Sequence, residues 1–448
     1  MIKSKPLAVA LGALILAGSA VPGLARQTPV PPAAAAGFTT VSAAERAAAI
    51  EAIVTLVREQ YVFPERRQTI IDRLEQGRTS GRYDLADPTA FAEKVSEDLT
   101  GASGDRHMYL FVDPAQFTAS SAPDDGADAG MAALIAERAD RDHQGLSEMK
   151  ILGGNIRYLK IGQFHWVEDE TGQAYQDAVR FLAGGDAIVI DLRGNGGGDA
   201  MAVQYLISHF MKGDVLLQTF LRGSETPAQT RTLAYLPQGR LTGKPLYVLM
   251  DRGSGSAAEE FVYHVQQFRL GELIGQTTAG AANNNDLLPI APGFVLSLST
   301  GRPVHAVSGT NWEAVGVRPD VETPPELALD VALQRALVRL AAAPTASDDR
   351  RFEYDWAKVA VEARLQPVTL PAARLKALAG RYGPATVTLR DGALWLARPE
   401  RVERRLSPLD DKGLFAADGL ANMRVRFTAT GLELLRPDGS SPTRLPRG

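Results

Sequence analysis

The run from Asp251 to Phe261, DRGSGSAAEEF, constrains this chain more than any other stretch. Ahead of it, Leu246-Tyr247-Val248-Leu249-Met250 is an apolar run that reads as a buried strand. Behind it, Ala257, Phe261, Val262, Val265 and Phe268 recur at roughly helical spacing. The Gly-Ser-Gly punctuation between them reads as a tight strand-to-helix turn. Ser256 then stands where a helix begins, beside unpaired N–H groups and the positive end of the helix dipole. An oxyanion forming next to its hydroxyl would meet ready-made donors. The same residues also spell a capping box, Ser256 to Glu259, which closes a helix without doing chemistry. This stretch alone leaves both readings open.

A chain of 448 residues holds two or three domains. At 45% hydrophobic and 22% charged it has the balance of a soluble globular protein. A net charge of -4 gives no electrostatic reason to expect a nucleic-acid partner. Lys3 and Lys5, the apolar run Leu7 to Val21, and Gly23-Leu24-Ala25 read as a signal peptide over 1–25. The apolar run is shorter than the ~20 residues of a spanning helix, so no transmembrane anchor is expected after cleavage. The expected location is periplasmic or secreted. With no cysteine there is no disulfide framework.

Residues 26–41 are rich in Pro and Ala and read as a disordered lead-in. A helical domain is expected over 42–111, opening on the capping box Ser42 to Glu45, with a third helix begun by Asp87-Pro88. A flexible connection follows over 112–153. Over 154–340, strands and helices alternate, which implies an α/β core with mainly parallel pairing. The strand Ala187 to Leu192 runs into Arg193-Gly194-Asn195-Gly196-Gly197-Gly198. That turn lacks a Walker lysine and serine and does not fit dinucleotide spacing, so a phosphate site is a weak reading. Its glycines suit close approach of backbone to a substrate carbonyl. A linker is expected over 341–351 and a small β-rich domain over 352–448, which opens on a short helix near Tyr354 to Ala363 and carries an Asp391-Gly392 hairpin turn.

Five stretches in order resemble the tail-specific, or carboxyl-terminal processing, serine peptidase family. They are GDRH at Gly104 to His107, VIDLRGNGGG at Val189 to Gly198, SGSAAEEF at Ser254 to Phe261, IGQTTAG at Ile274 to Gly280, and NWEAVGVRPD at Asn311 to Asp320. Within that family they look most like the tricorn-like and interphotoreceptor retinoid-binding branch. The resemblance implies a crotonase-like ββα core and a nucleophile at Ser256. A lysine base used elsewhere in the family is replaced here by the Gly280 stretch, so no Ser/Lys dyad is expected. The tricorn-like branch implies His107 as base and Glu313 as its orienting partner. The span from Phe111 to Gly154 is too short for the PDZ module that many relatives insert.

The chemistry is coherent on residue types alone. A serine hydroxyl needs a base, histidine is best poised for that near neutral pH, and an imidazole needs an acceptor to orient it. The expected oxyanion hole is the Ala257 N–H with that of Gly197 or Gly198. No G-x-S-x-G is present, which argues against an α/β-hydrolase. No histidine cluster has metal-ligand spacing, so neither metal nor cofactor is expected. The expected function is an exported serine endopeptidase acting on peptide or protein substrates. Its rivals are a non-catalytic carrier of apolar ligands and a crotonase-type acyl-CoA enzyme, the latter disfavoured by export. The β domain is expected to bind a protein partner or the cell envelope.

Overall fold

The computed structural model describes residues 38–121, 135–223 and 225–448. The signal-peptide expectation and part of the 112–153 connection lie outside the described residues. Helices α1 (Ala43–Gln60), α2 (Pro64–Thr79) and α3 (Pro88–Ser103) open the fold. The Ser42 hydroxyl accepts the Glu45 N–H at 3.2 Å, and the Glu45 carboxylate accepts the Ser42 N–H at 2.8 Å. Asp87 caps α3 through the Ala90 N–H at 2.8 Å. Proline at the first position of α3 suits a site whose N–H has no helical partner.

The apolar faces of these helices do not close on themselves. Ile50, Ile53, Val57, Phe91, Val95 and Leu99 share one core with Phe294, Leu296 and Leu298. Those last three sit on strand β10 (Phe294–His305) of a five-stranded antiparallel sheet. The segment expected as a helical domain is therefore a cap fused to that sheet. Packing also begins inside the expected lead-in, where Val41 is buried and Phe38 meets Phe294 edge-on at 5.1 Å.

In that sheet β10 is central. It pairs β1 (Tyr109–Val112) and β5 (Leu216–Arg222) at different points along its length, and β9 (Asn284–Ile290) along its other edge. Strand β5 in turn pairs β6 (Ala228–Arg231). The second sheet has six strands: β2 (Leu146–Leu152), β3 (Ile156–Ile161), β4 (Ala187–Asp191), β7 (Leu246–Met250), β8 (Glu272–Gly275) and β11 (Val321–Glu322). They lie in the order β11-β8-β7-β4-β3-β2. All the pairings are parallel except β2 with β3.

Apolar runs follow from burial on both faces. Ile188, Ile190, Val248 and Met250 face a core shared with the helices Glu168–Ala183, Ala200–Ser208 and Ala257–Gln267. Val189, Tyr247 and Leu249 face the helix Ala328–Ala341 on the other side. The architecture is mixed α/β, as expected, with an antiparallel sheet that the sequence pattern does not separate out. No helix among the described residues is long and apolar enough to cross a membrane.

The C-terminal strands form an eight-stranded antiparallel sheet, β12 (Gly380–Tyr382) to β19 (Thr443–Pro446), in sequence order. Its ends nearly meet: the Gly383 N–H donates to the Pro446 carbonyl at 2.9 Å, and the Gly448 N–H to the Arg381 carbonyl at 3.0 Å. Asp391 and Gly392 both hold positive φ, at 49° and 73°, as a type I′ hairpin turn requires.

The expected linker differs. The helix Ala328–Ala341 runs through its start, and a second helix, Asp348–Leu365, begins inside it. Tyr354 and Val361 of that helix are buried in the core of the parallel sheet, and the Tyr354 hydroxyl donates to Asp186 at 2.9 Å. Spacing at 354, 357 and 361 marks one buried face of the helix expected near Tyr354 to Ala363, while its start at Asp348 is hidden by the polar composition around it. A chain cut near Ala343 strips those side chains away, at roughly 1.5–3 kcal/mol for each fully buried one. A chain ending near Gln366 keeps them. The expected result is a cooperative thermal transition for the longer of these two chains, and a lower or absent one for the shorter. Equal melting of the two would show that this helix does not support the core.

Candidate active site

Two strand-to-helix turns lie side by side at the carboxyl ends of neighbouring strands β4 and β7. The Gly255 N–H donates to the Asn195 carbonyl at 3.0 Å, the Gly194 N–H to the Asp251 carboxylate at 3.0 Å, and the Ser254 hydroxyl to the Leu192 carbonyl at 2.8 Å. A Cβ on Gly197 would stand 2.6 Å from the Ser256 Cβ, and one on Gly198 would stand 2.0 Å from the Phe164 carbonyl oxygen. Only glycine fits at either place. The glycine-rich turn is thus pressed against Ser256.

Ser256 has φ 50° and ψ -119°, a conformation that costs a non-glycine residue of order 1–3 kcal/mol. It starts the helix Ala257–Gln267. Glu259, one turn on and fully buried, accepts the Ser256 N–H at 3.1 Å, the Gly280 N–H at 2.6 Å, the Ala281 N–H at 2.8 Å and the Thr278 hydroxyl. Burial raises its pKa, and these donors oppose the rise. Glu259 therefore binds the Ser256 turn to the loop leaving β8.

That loop leads into β9, from the parallel sheet to the antiparallel one. Its next two N–H groups, on Ala282 and Asn283, donate to the Glu313 carboxylate at 2.7 Å and 3.0 Å. Glu313 follows β10, and its own N–H donates to the Asn311 side chain at 3.0 Å. His107 precedes β1, held by its N–H to Asp105 at 2.9 Å and by the Ser297 hydroxyl donating to its carbonyl. Asp105, His107 and Glu313 each bring one oxygen or ring nitrogen, all within 4.8 Å of one another. At that density the three groups could also hold a cation.

His107 is buried, and its Nδ1 has no hydrogen-bond partner; the same is true of the Glu313 Oε1. Burial lowers the imidazole pKa, and the Asp105 charge opposes this. Burial, with the Asp105 charge second, pushes the Glu313 carboxyl up to about 8. Two polar atoms without partners thus lie in one small cluster.

The structure brings together the stretches that the sequence singled out. Ser256, Ala257, Gly197 and Gly198 meet at the paired turns, and His107 and Glu313 meet at the loop that clamps them. One detail is new: the Gly197 N–H is already donated to the Asn195 side chain at 2.8 Å, while Asn195 is anchored to the Ile161 carbonyl at 3.0 Å. Sequence reasoning also missed Asp105 and Asn283; the Asn283 amide donates to Asp105 at 2.9 Å. The GDRH motif carried the first of these in plain view.

Two other histidines form a separate buried chain. The Val307 N–H donates to His305 Nδ1 at 3.1 Å, so the His305 proton sits on Nε2 and points at His264 Nδ1, 3.1 Å away. His264 Nε2 in turn lies 3.5 Å from Glu260. Burial lowers both imidazoles to about 3 and raises Glu260 to about 8, so all three are neutral at neutral pH.

Comparison with known proteins identifies the scaffold. The model of peptidase family S41 matches residues 155–323, and the model of the N-terminal domain of peptidase S41 in eukaryotic IRBP matches residues 38–143. The chain belongs to peptidase family S41. Among curated relatives, the carboxy-terminal processing protease CtpB of Bacillus subtilis is 26% identical over 156 residues, covering 34% of this chain and 31% of its own. The carboxy-terminal-processing protease of Bartonella bacilliformis is 29% identical over 176 residues, covering 38% of each. The S41 chain thus spans about a third of the length of the curated relatives it matches. Among solved structures, a putative peptidase from Parabacteroides merdae has a TM-score of 0.47 at 17% identity, covering 67% of this chain and 99% of that one. The photosystem II D1 C-terminal processing protease has a TM-score of 0.42 at 15% identity, covering 64% and 95%.

Proposed function

We propose that this S41 chain is an exported serine endopeptidase with Ser256 as nucleophile, His107 as base and Glu313 as the group that orients His107. The observation that carries the reading is the loop from Thr278 to Asn283. Glu259 of the Ser256 helix holds one end of it and Glu313 holds the other, so one segment links the Ser256 turn to Glu313, which shares a cluster with His107.

In the first step the Ser256 oxygen bonds to the scissile carbonyl carbon while its proton passes to the His107 ring. Burial that lowers the imidazole pKa keeps it neutral and able to accept. Negative charge builds on the carbonyl oxygen. The Ala257 N–H, at the start of its helix, and the Gly198 N–H are the proposed donors, since Gly197 is bound to Asn195. The C–N bond then breaks, His107 gives its proton to the leaving amine, and water releases the acyl group by the same steps in reverse order. Gly280, at the place where a lysine base is found elsewhere in the family, serves Glu259 through its N–H.

A crotonase-like description of the core goes with this proposal, supported by the paired strand-turn-helix units after β4 and β7. Export rests on the basic and apolar residues before Ala25. A fluorophosphonate probe tests the chemistry: it should label the chain once, at Ser256, as mapped by peptide mass. A folded protein that reacts nowhere would favour the carrier of apolar ligands instead.

A further inference from the structure

Between the helix Asp348–Leu365 and the eight-stranded sheet lies a pocket of about 310 Å³. The helix presents Tyr354 and Val361 to the core, and Phe352, Trp356 and Val359 to this pocket. From the sheet come Arg424 and Arg426, two apart on β17 (Leu420–Phe427) and so on one face, and Arg436 just beyond β18 (Gly431–Leu435).

Arg424 is the unusual member. It is only 6% exposed, its guanidinium lies 4.0 Å over the Trp356 ring, and it donates to the Trp356 carbonyl. Among the described residues no carboxylate forms an ion pair with Arg424, Arg426 or Arg436, although Asp355 lines the same pocket. Burial alone lowers the Arg424 pKa to about 10, with no acid opposing it. A buried cation is ordinarily paired, and a carbonyl and a ring face leave most of the planar fork of donors unused.

We propose that this pocket binds the carboxylate of an organic acid with an apolar body, the three guanidinium groups taking the anion and Phe352, Trp356 and Leu435 the apolar part. A guanidinium fork matches a carboxylate in shape and number of bonds. Inorganic phosphate would leave the aromatic and aliphatic walls without a partner. The chemistry is shared by a free amphipathic acid and by the C-terminus of a peptide ending in an apolar residue. The proposal is independent of the peptidase reading, because it is read by binding alone.

Calorimetry on the full chain tests it with octanoate, N-acetylleucine, N-acetylleucinamide and inorganic phosphate. At least one of the two carboxylates should bind, and the amide should bind at least tenfold more weakly than N-acetylleucine wherever that acid binds. Octanoate alone points to a free acid, and N-acetylleucine alone to a peptide terminus. Arg426 and Arg436 are exposed, so the double variant Arg426→Ala, Arg436→Ala should keep its melting temperature and lose at least tenfold in affinity. Arg424→Lys, which keeps the charge and loses the fork, should also weaken binding. Binding of neither carboxylate, equal binding of acid and amide, or binding unchanged in the double variant would overturn the proposal.

Discussion

Ser256→Ala is expected to lower peptide turnover by roughly a millionfold, the scale on which losing a nucleophile acts in a Ser-His-acid set. The argument rests on backbone as much as on the hydroxyl. Alanine meets the same cost as serine at φ 50°, so the turn, the Glu259 carboxylate on its N–H and the loop beyond should all persist. The variant should therefore melt within about 1 kcal/mol of the parent. Ser256→Gly adds a control. It should be as inactive as the alanine variant yet more stable, because glycine adopts positive φ without strain. Activity surviving in either folded variant would remove Ser256 from the chemistry. A glycine variant less stable than the alanine variant would show that the turn is not strained.

Much of the parallel sheet was legible because burial on both faces writes unbroken apolar runs such as Ala187 to Leu192 and Leu246 to Met250. Helices α1 and α3 were legible from their caps, since Ser42 and Asp87 fix a start independently of packing. The antiparallel sheet was not. Its central strand β10 changes partners at the Ser299 to Gly301 bulge, and its sequence, FVLSLSTGRPVH, mixes Ser, Thr, Gly and Pro into what is a buried element. Its first part, Phe294 to Leu298, reads as hairpin-like and does pair with β9, but no local rule carries the strand on through Ser299 to His305. Of the helix Asp348–Leu365 the sequence shows the part from about Tyr354 to Ala363, and its start is hidden for a related reason. Its polar first turn continued the linker composition, and its two apolar faces serve two different neighbours, which blurs any single stripe.

At the site, residues on tight turns were readable because only certain side chains can stand there. Gly197 and Gly198 are fixed by contact distances that exclude a Cβ. What stayed hidden was the connecting chemistry. Glu259 reads as a capping residue in sequence, and it does accept the Ser256 N–H. Its larger role is to collect three donors from a loop some twenty residues further on. Asp105 likewise reads as a turn residue, while its charge stands beside a histidine and a glutamate, the latter distant in sequence. Such roles depend on two sheets converging, and nothing local records that.

His107 and Glu313 should behave as one unit. His107→Ala alone is expected to cost roughly 10⁴- to 10⁶-fold in kcat, and adding Glu313→Gln should cost almost nothing more. The pH dependence separates the roles further. Burial and the Asp105 charge hold the Glu313 carboxyl at about 8, above its ordinary value of 4.5. Between those values the folded chain keeps a proton that the unfolded chain has released. Its contribution to stability is therefore fully present below pH 4.5 and is lost as pH rises through about 8. Glu313→Gln is permanently neutral, so its stability relative to the parent should improve steadily from about pH 5 to about pH 9. Activity should move the other way. An ionised Glu313 best supports the imidazolium that forms as His107 takes the serine proton, so parent kcat/KM should rise through about pH 8 and the glutamine variant should lack that rise. A glutamine variant whose rate profile parallels the parent at every pH, or a double variant whose losses multiply, would take Glu313 out of the catalytic unit and leave it as a clamp on the Ala282–Asn283 backbone.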